Sequence, residues 1–114
     1  MITLYGIKNC DTVKKARDWL VKNNIDYRFH DFRADGLSHS QIKIWIEEIG
    51  LDLLINKRST TWKELDELTK KNFGQTNAAD IIVENPTLIK RPLLDTGNQK
   101  YIGFKNTEYE KIFI

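Results

Sequence analysis

"ITLYGIKNCDTVKKARDWLVKNNIDYRFH", residues 2–30, decides how this chain folds. Ile2 to Tyr5 make a short apolar run, and Gly6 breaks it, as at the end of a buried strand. "GIKNCD" is turn-rich and reads as a loop. A helix is expected from Asp11 or Thr12, since both residue types cap helices well. Val13, Ala16, Trp19 and Leu20 recur at helical spacing, while Lys14, Lys15, Arg17 and Lys22 fill the opposite side. Asn23 and Asn24 suit a helix stop. "IDYRFH" then alternates: Ile25, Tyr27 and Phe29 face one way, Asp26, Arg28 and His30 the other. Strand, loop, helix and strand within about thirty residues is the size of a βαβ unit. The two strands are therefore expected to pair in parallel through a right-handed crossover.

Downstream, "RADGLSHS" is a loop whose Ser38 or Ser40 can cap a helix carrying Ile42, Trp45, Ile46 and Ile49 and ending at Gly50. Thr60 or Thr61 can cap a short helix through Leu68, and "KKNFGQTN" reads as a loop. Asn77 can cap a helix from Ala78 to about Glu84, with Pro86 after its end. Leu93–Leu94 and Tyr101–Ile102 read as a β-hairpin around "DTGN", and "NTEYEKIF" as a closing helix capped by Asn106 or Thr107. The order is β–α–β, a helical middle, then β–β–α.

The bulk composition removes several function classes. The 114 residues fit one domain that can bury a core without staples. A net charge of +2 gives no electrostatic reason to expect direct nucleic-acid binding. One cysteine excludes an internal disulfide framework and every multi-cysteine zinc pattern, and no metal-ligand spacing joins His30 and His39, so no metal is expected. The N-terminus lacks the pattern of a signal peptide, and no stretch approaches the roughly 20 apolar residues of a membrane span. A cytoplasmic protein without a membrane partner is expected.

Cys10 is the first candidate for chemistry. The thiolate is the reactive form of cysteine, and a helix N-terminus favours it with unpaired N–H groups and a positive partial charge. The amides of Thr12, Val13 and Lys14 are expected to point back toward the sulfur. The same amides suit an oxyanion or a carboxylate. Lys8 and Lys14 add positive charge, and Asp11 opposes it. The plainer alternative is a small apolar residue without chemistry. Pro92 falls where the chain enters the hairpin, the edge position proline tolerates, and Arg91 before it offers a forked donor for an anion. Asn56, Lys57 and Arg58 form a basic stretch whose plain reading is a solvated loop.

With these in place, "LYGIKNCDTVKKARDWL", "YRFHDFRADGL", "LINKRSTTWKEL", "NPTLIKRPLL" and "YIGF" together resemble the arsenate reductase-like (ArsC) family, in its YffB/Spx branch of thiol reductases. The resemblance implies an α/β thioredoxin-like, glutaredoxin-like fold. Its four-stranded mixed sheet would belong to one domain spanning 1–114, with a mostly helical insertion at about 34–76. It implies that Cys10 is the redox nucleophile and that Pro92 is the cis-proline facing it. Asn9, Thr12, Val13, Lys14, Arg58, Arg91 and Pro92 then surround the substrate or its anion. Arg91 matches the arginine before the cis-proline. Arg58 substitutes for an arginine two positions earlier in the arsenate-reducing relatives, and Gly103 stands where they carry a third. Spx-type regulators commonly hold a C-x-x-C pair at this loop; here Cys10-Asp11-Thr12-Val13 rules out that internal switch. A lone thiol needs an external one to resolve it. Glutathione, a co-substrate rather than a bound cofactor, suits a site of cations and amides.

Two functions follow as expectations. One is a glutathione-dependent thiol reductase acting on a small oxidised or oxyanion substrate. The other is an Spx-like regulator that binds RNA polymerase without catalysis.

Overall fold

A computed structural model describes all residues, Met1–Ile114. The chain divides into two compact units, one of Met1–Asp35 with Arg91–Ile114, the other of Gly36–Lys90. In the first unit, the apolar run at the N-terminus becomes β1 (Thr3–Gly6) and the amphipathic segment after it becomes α1 (Asp11–Lys22). The alternating segment forms β2 (Arg28–Asp31), and the C-terminal stretch forms β3 (Leu93–Asp95), β4 (Lys100–Ile102) and α7 (Asn106–Phe113). The sheet order is β2-β1-β3-β4. β1 pairs with β2 in parallel and with β3 antiparallel, and β3 pairs antiparallel with β4.

Register explains which face is buried. Leu4 lies opposite Phe29 on one side and Leu94 on the other, and Leu94 lies opposite Tyr101. Side chains on directly opposed residues share a face. That row packs against Ala16, Trp19 and Leu20 of α1 and Tyr109 of α7, with Ile112 and Phe113 at its edge. Trp19 meets Tyr109 edge-on at 5.5 Å, and its indole N–H donates to Asn106 Oδ1 at 2.5 Å, tying the two helices. Ile25, Tyr27 and Phe29 pack on the same cluster, the face that their alternation predicts.

The second unit is helical. It contains α2 (His39–Ile49), α3 (Leu51–Leu54), α4 (Thr60–Glu64), α5 (Glu67–Asn72) and α6 (Ala78–Glu84), with a 3₁₀ turn at Pro86–Leu88. Ser38 caps α2, accepting from the Gln41 N–H at 3.1 Å. α2 packs against α3 and α6, burying Ile42, Trp45 and Ile46 on one side and Ala78, Ala79 and Ile82 on the other. The backbone closes the unit: Asn56 N–H donates to Leu88 and Lys90 N–H donates to Leu54, both at 2.8 Å.

Three local expectations change. Cys10, rather than Asp11 or Thr12, occupies the N-cap of α1, with extended backbone at φ −108° and ψ 123°. The helix expected from Thr60 or Thr61 through Leu68 is two short helices, capped by Ser59 and Asp66. Its second piece runs on into residues expected to be loop, because the Asp66 carboxylate accepts the Thr69 N–H at 2.7 Å. Asn106 is the first residue of α7 and gives its side chain to Trp19, so the cap falls to Lys105.

Candidate active site

Four strand ends meet at one edge of the first unit. β1 leaves the sheet at Gly6 and β2 leaves beside it at Asp31, its register partner. Pro92 precedes Leu93, which pairs with Tyr5 next to Gly6. The chain leaves β4 at Gly103, whose N–H donates to Pro92 O at 2.8 Å. The Arg91–Pro92 peptide bond is cis. Pro92 is buried and Arg91 half-buried. The fold thus brings the Lys8–Cys10 loop, the Asp31 turn and the Arg91–Pro92 entry to the same end of adjoining strands.

Cys10 is half-buried, and its sulfur makes no capping hydrogen bond. Its carbonyl accepts the Lys14 N–H at 3.0 Å, the first bond of the helix. This narrows the expected donor set, because the Lys14 amide is committed to backbone. At an N-cap, a side-chain acceptor reaches the N–H groups two and three residues on, here Thr12 and Val13. Asn9, Thr12 and Lys14 are exposed, and Val13 is fully buried. Arg58 is exposed in the second unit, where its N–H donates to Asn56 Oδ1 at 3.0 Å.

Two residues absent from the expected set position this edge. A Cβ built on Gly6 would sit 2.7 Å from Val13 Cγ2. Glycine is there for close approach, since only its bare backbone lets the first turn of α1 settle on β1. We expect Gly6→Ala to destabilise the fold by about 1–3 kcal/mol. Adding Val13→Ala should recover part of that loss in a denaturant titration, whereas purely additive costs would contradict the contact.

The other is Asp31, with 7% of its surface exposed. Its Oδ1 accepts the N–H groups of Arg33 at 2.7 Å and Ala34 at 3.1 Å. Burial pushes this carboxyl upward. Backbone N–H groups of Ala34, Arg33 and Lys8, with the Lys8 charge, outweigh that and hold it below the usual carboxylate value. A lowered folded value means a contribution to stability that is complete above the unfolded carboxylate pKa, near 3.9, and lost as pH falls through the folded one. Wild type is therefore expected to exceed Asp31→Asn in stability at neutral pH, with the gap closing below about pH 4. A gap independent of pH would contradict this. The sequence signal for Asp31 was the "DFRA" turn itself, since an aspartate can accept N–H groups two and three residues on.

An open cavity of about 370 Å³ lies on this edge, lined by Ile7, Lys8, Asn9, Asp31, Arg33 and Ala34. No group of histidine, cysteine, aspartate or glutamate side chains is arranged to hold a metal ion, and no helix is long and apolar enough to cross a membrane.

A thiol at the N-cap of the helix after β1, in this strand order, with a cis-proline opening β3, defines the class: a thioredoxin-like α/β fold. The ArsC family model matches residues 5–112, and the chain belongs to that family. An uncharacterised protein of Haemophilus influenzae is 50% identical over 113 residues, covering 99% of each chain. The global transcriptional regulator Spx of Streptococcus pyogenes serotype M1 is 30% identical, over 95% of this chain and 81% of its own. Among solved structures, the YFFB (PA3664) protein aligns over 100% of both chains, with a TM-score of 0.95 and 37% identity. An arsenate reductase (ArsC) related protein from Brucella melitensis aligns over 98% of this chain and 93% of its own, with a TM-score of 0.78 and 38% identity.

Proposed function

We infer that this protein is a monothiol, glutathione-dependent reductase in which Cys10 is the nucleophile. One observation carries the reading: the chain's single thiol stands at the N-cap of α1, on the sheet edge that also bears the cis Arg91–Pro92 bond. The cycle needs two exchanges. The Cys10 thiolate attacks the glutathionyl sulfur of a mixed disulfide, forming a Cys10–glutathione disulfide and releasing the substrate as its thiolate, which takes a proton from water. A second glutathione thiolate attacks that adduct, forming oxidised glutathione and restoring the Cys10 thiolate. The carboxylates of glutathione, or the charge of a small oxyanion, are met by the Thr12 and Val13 amides, by Asn9, and by the cations of Lys14 and Arg91. Pro92 shapes the wall of the site. Arg58 belongs to this set through the family motif alone. The reading fits a reducing cytoplasm, where external thiol is abundant.

The test is the alkylation rate of Cys10 at neutral pH, folded against unfolded in denaturant. The folded thiol should react roughly tenfold faster. Equal or slower reaction in the folded chain overturns the reading.

The likeness to Spx supports a second reading, a regulator that docks on RNA polymerase without using the thiol. Co-purification with polymerase subunits, together with full biological effect from Cys10→Ala, would favour it over the reductase.

A further inference from the structure

Gly6 and Asp31 are register partners at the ends of the parallel strands β1 and β2. Parallel neighbours run the same way about 4.8 Å apart, so the two chains leave the sheet side by side. Each carries a cation two residues further on, Lys8 after Gly6 and Arg33 after Asp31. The Phe32 N–H donates to Gly6 O at 2.8 Å and ties the two exits together. Lys8 and Arg33 therefore line one cavity of about 370 Å³, with Asn9, the residue before Cys10, on its wall.

The carboxylates of this edge hold backbone rather than these cations. Asp31 Oδ1 accepts the Arg33 and Ala34 N–H groups at 2.7 and 3.1 Å, and Asp35 Oδ2 accepts the Asp31 N–H at 2.9 Å. Lys8 and Arg33 are exposed, and neither forms an ion pair. Two cations on one cavity favour an anion between them. A guanidinium meets a carboxylate as a fork, and an ammonium meets it as a point charge. The volume lies within the roughly 300–1,000 Å³ of small-molecule sites, far more than an oxyanion fills. An extended tripeptide spans about 10 Å. Because Asn9 is bonded directly to Cys10, a tripeptide engaged at the sulfur has an arm long enough to enter.

We propose that Lys8 and Arg33 form a carboxylate subsite across this cavity, which makes the substrate of Cys10 a peptide-sized anionic disulfide, of the glutathione class, rather than a small oxyanion. This rests on the reading of Cys10 as nucleophile. The subsite is separate from the Thr12 and Val13 amides and adds a second point of attachment, so it selects for substrates with a carboxylate remote from the sulfur.

Exchange at Cys10 is timed with oxidised glutathione and with neutral hydroxyethyl disulfide. In each case attack forms a Cys10 mixed disulfide and releases the other half as its thiolate. The ratio of the two rates cancels any change in the thiolate population. Lys8→Gln combined with Arg33→Gln is expected to lower that ratio roughly tenfold. An unchanged ratio overturns the proposal, because a merely structural role slows both disulfides alike. An equal fall in Lys22→Gln, at the far end of α1, also overturns it, because general charge would then suffice. A second measurement needs no thiol: reduced glutathione added to Cys10→Ser should shift the Lys8, Asn9, Arg33 and Ala34 amide signals in NMR spectra more than those of α7. Shifts absent from these residues overturn the subsite. If wild-type Cys10 reacts no faster folded than unfolded, the reading of Cys10 fails, and the amide shifts still decide the subsite.

Discussion

Cys10→Ser is expected to abolish reduction of a glutathione mixed disulfide, by on the order of 10³-fold or more, with little change in stability. The size of the loss follows from the chemistry. Serine keeps the shape of the side chain, but its hydroxyl stays protonated at neutral pH and is not a thiol-exchange nucleophile. No second cysteine exists to take over. The small effect on folding follows from the geometry. Cys10 is half-buried and its sulfur makes no capping bond, while serine is a favoured N-cap residue whose oxygen can take a first-turn N–H. Steady-state turnover and thermal unfolding, measured on the same preparation, check both halves. Substantial residual turnover would remove Cys10 from the mechanism.

Leu4→Ala is the change with the largest expected effect on stability, about 2–5 kcal/mol. Leu4 is fully buried in the central strand β1, between Phe29 and Leu94 in register and beneath Ala16, Trp19 and Leu20 of α1 and Tyr109 of α7. Truncation removes contacts with both neighbouring strands and both helices at once. The ring of Trp19 cannot sink into the gap without breaking its N–H bond to Asn106. A domain is typically stable by only 5–15 kcal/mol, so this single change removes a large share. Denaturant titration is the measurement, and a loss below about 1 kcal/mol would contradict the packing.

The fold was legible where one periodicity ran without interruption. The alternation from Ile25 to His30 and the 3.6-residue repeat from Val13 to Leu20 specified strand and helix, because each must present one apolar face to a common core. The hairpin was legible from its turn residues, and the Thr96 N–H does close it on Gln99 O at 3.1 Å. α5 was not legible, because its apolar residue Leu68 is 70% exposed and leaves no stripe to detect. Its start depends instead on the Asp66 cap. The N-cap of α1 slipped by one residue for a related reason: apolar phase locates a helix face but not the residue where the backbone turns extended.

The candidate site divides in the same way. Cys10, Arg91 and Pro92 stood out because their chemistry is rare in the sequence and their positions at element ends are meaningful. Gly6 looked like a strand breaker, whereas its role comes from Val13, seven residues away and brought back by the turn into α1. Asp31 shares the wall of one cavity with Lys8, a neighbour it gains only when β1 and β2 lie side by side. No local pattern announces a partner supplied by tertiary structure.

The most direct test of the central claim is intact-mass spectrometry after brief mixing with oxidised glutathione, on wild type and Cys10→Ser. Attack by the Cys10 thiolate on oxidised glutathione forms a Cys10–glutathione disulfide and releases one glutathione thiolate. Wild type should show one glutathione adduct, formed quickly and removed by added reduced glutathione, and Cys10→Ser should show none. Wild type that stays unmodified would contradict the account.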